Sequence, residues 1–341
     1  MKGLIKAEVR RLTKRRITRL MVVLLVLGLG TIAVAFTVGS TKVGPAQVAA
    51  AEAEAQRQYE ESLRWHQQMV ADCEAAKARG EDISQRFPPN CGNEPGFAPQ
   101  REQFDASWNL PYEFHFRDEF GIFISVFAGI LALFGFIVGA SYVGAEWHTG
   151  GMMNLLLWRP RRLSVLLTKL GVLLGGVLAL TAALGALWTA AFWLIGKYDG
   201  QTGKMTQGAW ESFALTGLRG VGLVLAVTAV AFGLASVGRH TAMALGVAIG
   251  VMVVSEIGLR IALGIADVRF NERWALSTYA LAWFEKRWKL EDWRACNISF
   301  SGECQPDTFI VTWQQSALVF GVGTAVVLAA AIWLMRSRDI T

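Results

Sequence analysis

Six long apolar runs divide the chain, at 20–38, 120–143, 166–195, 213–236, 241–265 and 309–335. Each is long enough to cross a bilayer as a helix, which takes about 20 apolar residues. Ahead of the first run, Leu4, Ile5, Val9, Leu12 and Ile17 recur at roughly helical spacing among eight lysines and arginines, with Glu8 as the single acid of residues 1–19. That pattern predicts a basic amphipathic helix lying on the anionic cytoplasmic leaflet. No small-residue cleavage site clearly follows it, so 20–38 is read as an uncleaved first span. The pattern predicts an all-α polytopic membrane protein with six transmembrane helices.

The polar stretches between the runs are unequal. Residues 39–118 and 266–308 form two sizeable loops, 196–212 is short, and Arg239 and His240 mark a tight turn. Within the first loop, Pro45 to Arg79 is rich in Ala, Glu, Gln and Arg with no internal Gly or Pro, a composition that favours helix. Gly80 to Pro111 is rich in turn formers. In the second loop, 274–293 carries Trp274, Tyr279, Trp283, Trp288 and Trp293 and predicts a helix at the membrane–water interface.

Charge sets the orientation. The connector 144–165 between the second and third runs carries Arg159, Arg161 and Arg162, with Lys169 just beyond. By the positive-inside rule it is cytoplasmic. The turn at Arg239, the basic start and the end at Arg336 and Arg338 agree, so both termini are expected in the cytoplasm. The net charge of +6 is thus spent on topology and not on nucleic acid. With 53% hydrophobic residues and a mean hydropathy of +0.37, the composition agrees with the class.

The connector reads Glu146-Trp147-His148-Thr149-Gly150-Gly151-Met152, then Leu155, Leu156, Arg159, Pro160 and Arg162. Gly150 and Gly151 open a short helix and Pro160 stops it. Met152, Leu155 and Leu156 fall on one face, with the stem of Arg159 beside them. A short cytoplasmic helix with an apolar face and a basic end suits docking of a soluble partner. Glu146 either caps the helix start or pairs with a base on that partner.

These residues resemble the signature of ABC-2 type transporter permeases, in which an acid, a Gly-Thr, a Leu-Leu pair, a proline, an arginine and a lysine follow at this spacing. One departure is that Gly151 stands where the family usually has threonine. The resemblance extends over nearly the whole chain. It implies a membrane subunit of a bacterial exporter in the cytoplasmic membrane, working with two copies of a separate ABC ATPase and with a second permease subunit. It also implies that 1–19 rests beside the ATPase. ATP and Mg belong to that partner. This chain has no G-x-x-x-x-G-K-[ST] and needs no cofactor of its own. The expected cargo is a lipid-like, drug-like or other amphiphilic molecule. The alternative is a non-transporting membrane complex, with outer loops that bind a partner and an ATPase that regulates.

Two further groups carry chemistry. Cys73, Cys91, Cys296 and Cys304 all fall in the two outer loops, as an oxidising exterior allows. Of three possible pairings, closure within each loop is the simplest, Cys73 with Cys91 and Cys296 with Cys304. The competing reading is a zinc site with His66 and His115, though neither cysteine spacing is the short C-x₂-C type. Glu256 and Arg260 lie four apart on the fifth run and face one side of a helix. They are either a mutually neutralised pair at the shallow end of the span or a pair on the substrate path or subunit seam. Three Gly-x-x-x-Gly pairs, Gly135/Gly139, Gly171/Gly175 and Gly246/Gly250, permit close helix packing.

Overall fold

The computed structural model describes residues 2–83, 86–94, 96–158, 161–295 and 306–337. Its membrane helices are α2 (Arg16–Gly39), α4 (Phe116–His148), α6 (Arg162–Tyr198), α7 (Gln207–Gly238), α8 (Thr241–Val253) with α9 (Leu259–Ile265), and α11 (Trp313–Ser337). A π-helical turn, Val254–Gly258, joins α8 to α9, so that Thr241–Ile265 forms one span and the spans among the described residues number six. All are longer than or equal to the apolar runs except the last. Residues 309–312 belong to a strand, and the sixth span starts at Trp313.

The chain folds as two compact units. The first contains residues 1–33, 117–192 and 204–341. It begins with α1 (Lys2–Lys14), which ends at Arg15 before α2 starts. Leu4, Glu8 and Leu12, one helical turn apart, are its buried stripe, whereas Ile5, Val9 and Ile17 remain exposed. Small residues then set how closely helices approach. A Cβ on Gly135 or Gly139 would strike Thr228 of α7 at 2.1 or 2.8 Å, and one on Gly144 would meet the Thr241 backbone nitrogen at 2.6 Å. Gly171, Gly175, Gly246 and Gly250 face nothing within 4 Å. Only the first of the three glycine pairs is therefore used for packing among the described residues.

The second loop corrects the expectation of one helix over 274–293. A 3-10 turn at Asn271–Trp274 precedes α10 (Leu276–Glu285), and Lys286 at φ +68° turns the chain into β3 (Arg287–Asp292). β3 pairs antiparallel with β4 (Asp307–Thr312). The reason is local: Trp288 and Leu290 alternate with charged neighbours, and Thr308 to Thr312 is β-branched and aromatic. Leu290, Val311 and Ala282 make a small core with Phe270, Tyr279 and Phe309. The register sets Asp292 opposite Asp307, a like-charge pair that would loosen the hairpin. Arg269 resolves it, donating from Nε to Asp292 at 3.1 Å and from Nη2 to Asp307.

The second unit contains residues 34–116 and 193–203. Its main element is α3 (Pro45–Ala78), opened by Pro45 at its first position, with the Gly44 N–H donating to Gln47 Oε1 at 2.8 Å. Cys73 on α3 is bonded to Cys91, in agreement with the expected local closure and incompatible with zinc ligation by either thiolate. Cys296 and Cys304 lie outside the described residues. Tyr59 packs edge-on against Phe104, and Gln58 donates to Asn109 at 3.1 Å. β1 (Phe114–His115) and β2 (Gly200–Gln201) pair in parallel, with the Ser40 hydroxyl donating to the Asp199 carbonyl at 2.6 Å and accepting from the Phe114 N–H at 3.0 Å.

Two predictions follow from the first unit. Gly144→Ala should destabilise the purified chain by about 1–3 kcal/mol, because backbone and not a flexible side chain fills the space. Gly171→Ala, with open space around it, should not lower the melting temperature, and equal melting of the two variants would remove the close-approach argument. The second concerns pH. Hydrogen bonds from Arg269 and from Arg294 hold Asp292 below the usual carboxylate range. A depressed carboxylate stabilises the fold fully above its unfolded value, about 3.9. That contribution disappears as pH falls through the lower folded value. Amide exchange across 287–292, corrected for its intrinsic pH dependence, should stay slow at neutral and mildly acidic pH and speed up only in strong acid.

Candidate functional site

The sequence singles out the connector, and the structure sets a buried ion cluster beside it. Glu8 of α1 and Lys169 of α6 are fully buried, and Glu146 of α4 is nearly so. The Lys169 ammonium donates to Glu8 Oε2 at 2.7 Å and lies 2.6 Å from Glu146 Oε2. The second contact lies off the hydrogen-bonding direction and acts as an ion pair. Tyr142 donates its hydroxyl to Glu8 Oε2 at 2.6 Å, and Lys169 sits 5.2 Å from the centre of the Tyr142 ring.

Arg15, at the break between α1 and α2, closes the cluster from the other side. Its Nη1 donates to the carbonyls of Ser141 and Tyr142, both at 2.9 Å, and its Nη2 reaches Glu146 Oε1 at 3.4 Å. Arg11 contributes a further contact to Glu8 Oε1 at 3.3 Å. Two carboxylates thus meet two buried or half-buried cations, with Arg11 at the rim. Charges out of water persist only when paired in this way. The arrangement ties three helices together through α1, α4 and α6.

Glu146 therefore points to Lys169 and Arg15 of its own chain and does not cap the connector helix. Trp147 lies under the Arg239 guanidinium at 4.9 Å, and the rings of His148 and His240 meet edge-on at 4.9 Å. The end of α4 is thus packed on the turn between α7 and α8. Gly150, at φ +72°, takes the left-handed conformation that ends α4 and lets α5 (Gly151–Trp158) start in a new direction. A Cβ on Gly151 would find only ordinary contacts at 3.7 Å, so the backbone there leaves room for the first atom of a side chain.

On α5 the faces differ from the expected ones. Met152 is fully buried and anchors the helix inward, Leu155 is half-buried, and Leu157 is 81% exposed. Of the predicted docking face, Met152 is unavailable to a partner, and Leu157 was not anticipated. Arg159 and Pro160 lie outside the described residues, as does the side chain of Leu156. Arg162 opens α6.

Glu256 and Arg260 do not form the ion pair their spacing suggests. Glu256 sits in the π-helical turn and accepts from the Ser277 N–H at 2.8 Å and the Ser277 hydroxyl at 2.6 Å, capping α10. Arg260 has a buried Nε with no acceptor.

The missed member of the cluster is Glu8. Its signal was present: the one acid in a basic segment, four residues from each of Leu4 and Leu12 and thus on the apolar stripe. The role of Lys169 can be tested by its removal. Lys169→Met should destabilise the chain by about 3–5 kcal/mol, since it leaves two buried acids short of a cation. Glu8→Gln combined with Lys169→Met should recover part of that loss, and chaotrope unfolding of the four-member cycle measures it. Simple additivity would mean that the two side chains are not coupled.

A family model described as ABC-2 family transporter protein matches residues 3–339. No curated protein and no solved structure matches the chain. Six apolar helices make the protein a multi-pass membrane protein. The signature between the second and third spans and a family match over almost the full length lead to one conclusion: the chain belongs to the ABC-2 family of transporter proteins.

Proposed function

We propose that the chain is the permease of an exporter that moves amphiphilic molecules out of a bacterial cell, driven by a separate ABC ATPase. Membership of the family implies a membrane subunit that is not itself catalytic and that associates with an ABC ATPase. The observation that supports coupling here is the rigid tie between the connector and the helices. Force applied to α5 meets Met152 within the chain, passes to the end of α4, and from there reaches α6 through Lys169, α1 through Glu8, and α7 and α8 through Trp147 and Gly144. A partner that pushes on α5 thereby moves four membrane helices at once.

In this reading the exposed Leu157 and the half-buried Leu155 meet the ATPase, with Leu156 and the basic end of the connector beside them. Two ATPases and two permeases form the complex. The face with α1, the connector and the 239–241 turn is cytoplasmic, in keeping with the basic residues collected there. Both termini lie on that side.

Leu157→Asp should abolish co-purification of the ATPase while the chain keeps its melting temperature, since it sets a charge into a contact that excludes water. Met152→Asp should instead unfold the chain. Glu146→Ala should reduce substrate-stimulated ATP hydrolysis more than it reduces assembly. Unchanged co-purification and transport with Leu157→Asp would remove α5 as the transmission point. ATP hydrolysis by the reconstituted complex, measured against a panel of lipids and amphiphilic drugs, tests the export reading itself.

A further inference from the structure

A second charged group in the membrane region, Arg219, has an aromatic partner but no acidic one among the described residues. Arg219 lies on α7 with its guanidinium over the ring of Trp313, 5.7 Å from the ring centre. Its carbonyl accepts from Trp283 Nε1 at 2.8 Å, and Trp283 in turn packs against Trp313 and Phe320. One N–H-bearing atom of the guanidinium, Nη1, is buried with no acceptor among the described residues, while the residue as a whole is half-buried.

The depth of this group can be read from the helices. Trp313 is the first residue of α11, where the apolar span begins. From Arg219 to the end of α7 at Gly238, a helix rises about 30 Å, the thickness of the hydrocarbon layer. The guanidinium therefore stands at the border of hydrocarbon and headgroups, on the end of the first unit away from α1. Leu215 and Leu218 on the same helix are exposed, and Arg219 falls at the flank of that lipid-facing stripe. A ligand in the bilayer reaches it without crossing the packed core.

A cation at the edge of the hydrocarbon layer is stabilised by an anion beside it, and a guanidinium restrained over an indole offers its remaining N–H groups to an oxyanion. We propose that Arg219 and Trp313 form a binding site for the acidic headgroup of an amphiphile, a phosphate above all. Two sources share that chemistry, a resident phospholipid and a transported anionic amphiphile. Only the site's role in release rests on the exporter reading; the binding does not.

The test is native mass spectrometry of the full chain in neutral detergent, titrated with dodecyl phosphate and separately with phosphatidylglycerol. Arg219→Gln should weaken dodecyl phosphate binding about tenfold, the worth of one charge-assisted hydrogen bond. Arg219→Lys should fall between, and Arg273→Gln, which removes a different arginine stacked on a tryptophan, should bind as the unaltered chain does. Dodecyltrimethylammonium should not compete. Arg219-dependent binding of dodecyl phosphate identifies a mobile amphiphile, and Arg219-dependent binding of phosphatidylglycerol alone identifies a resident lipid. Equal binding by the unaltered chain and Arg219→Gln, or no binding of either ligand, overturns the proposal. If Arg219→Gln does not fold, a benzophenone-bearing alkyl phosphate on the unaltered chain decides instead. Adducts within 213–222 or 313–320 support the site, and adducts found only elsewhere refute it. No ATP enters the assay, so a chain that binds dodecyl phosphate through Arg219 but exports nothing would sink the exporter reading alone.

Discussion

A fully buried ammonium is tolerated only where acids surround it, and Lys169 obtains two of them from two different helices. That requirement organises the connector end of the first unit. Glu8 can reach Lys169 only if α1 folds back along α4 and α6, which is why Leu4 and Leu12 are buried with it. Glu146 can reach it only if α4 continues as helix past Tyr142. Arg15 then compensates the second carboxylate and, by bonding to two carbonyls of α4, fixes the place where α1 ends and α2 begins. A buried pair of this kind adds little net stability over apolar packing, but it penalises every arrangement in which one member is missing. The cluster is better understood as enforcing one relative placement of three helices.

The other charges of the membrane region divide into spent and unspent ones. Glu256 is spent on the start of α10, where the π-helical turn presents its carboxylate to Ser277. Insertions of this type recur at functional sites because the extra residue re-aims a side chain. With Glu256 so engaged, Arg260 acts on it through space without a direct contact, and Arg219 has an indole but no acid among the described residues. Both arginines lie on helices bonded to the segment around α10, Arg219 through Trp283 and Arg260 through Asn271. In the hairpin itself, Asp292 and Asp307 are taken by Arg269 and Glu291 pairs with Lys289.

What the sequence determined by itself was whatever depends on short-range periodicity. Apolar runs of sufficient length dictate helices in a bilayer, because backbone polar groups there must bond within their own segment. Hence six spans, the long helix from Pro45 and the tight turn at Arg239 were legible. The pairing of Cys73 with Cys91 also follows from chain proximity. The strands at 287–292 and 307–312 were legible in principle, from the alternation around Trp288 and Leu290, but a wealth of tryptophan favoured an interfacial helix.

Tertiary structure alone decided which polar atoms meet and which face of a short helix turns inward. The stretch Gly-Met-Met-Asn-Leu-Leu-Leu-Trp is apolar on nearly every side, so its period cannot say that Met152 is buried and Leu157 exposed. Glu256 and Arg260 satisfy a spacing rule that holds for an isolated helix, but Ser277 competes for the same carboxylate. Glu8 and Lys169 are separated by 161 positions, and nothing local to either one names the other. Their meeting depends on where packing places α1, since a charge out of water takes whichever partner the fold brings within reach.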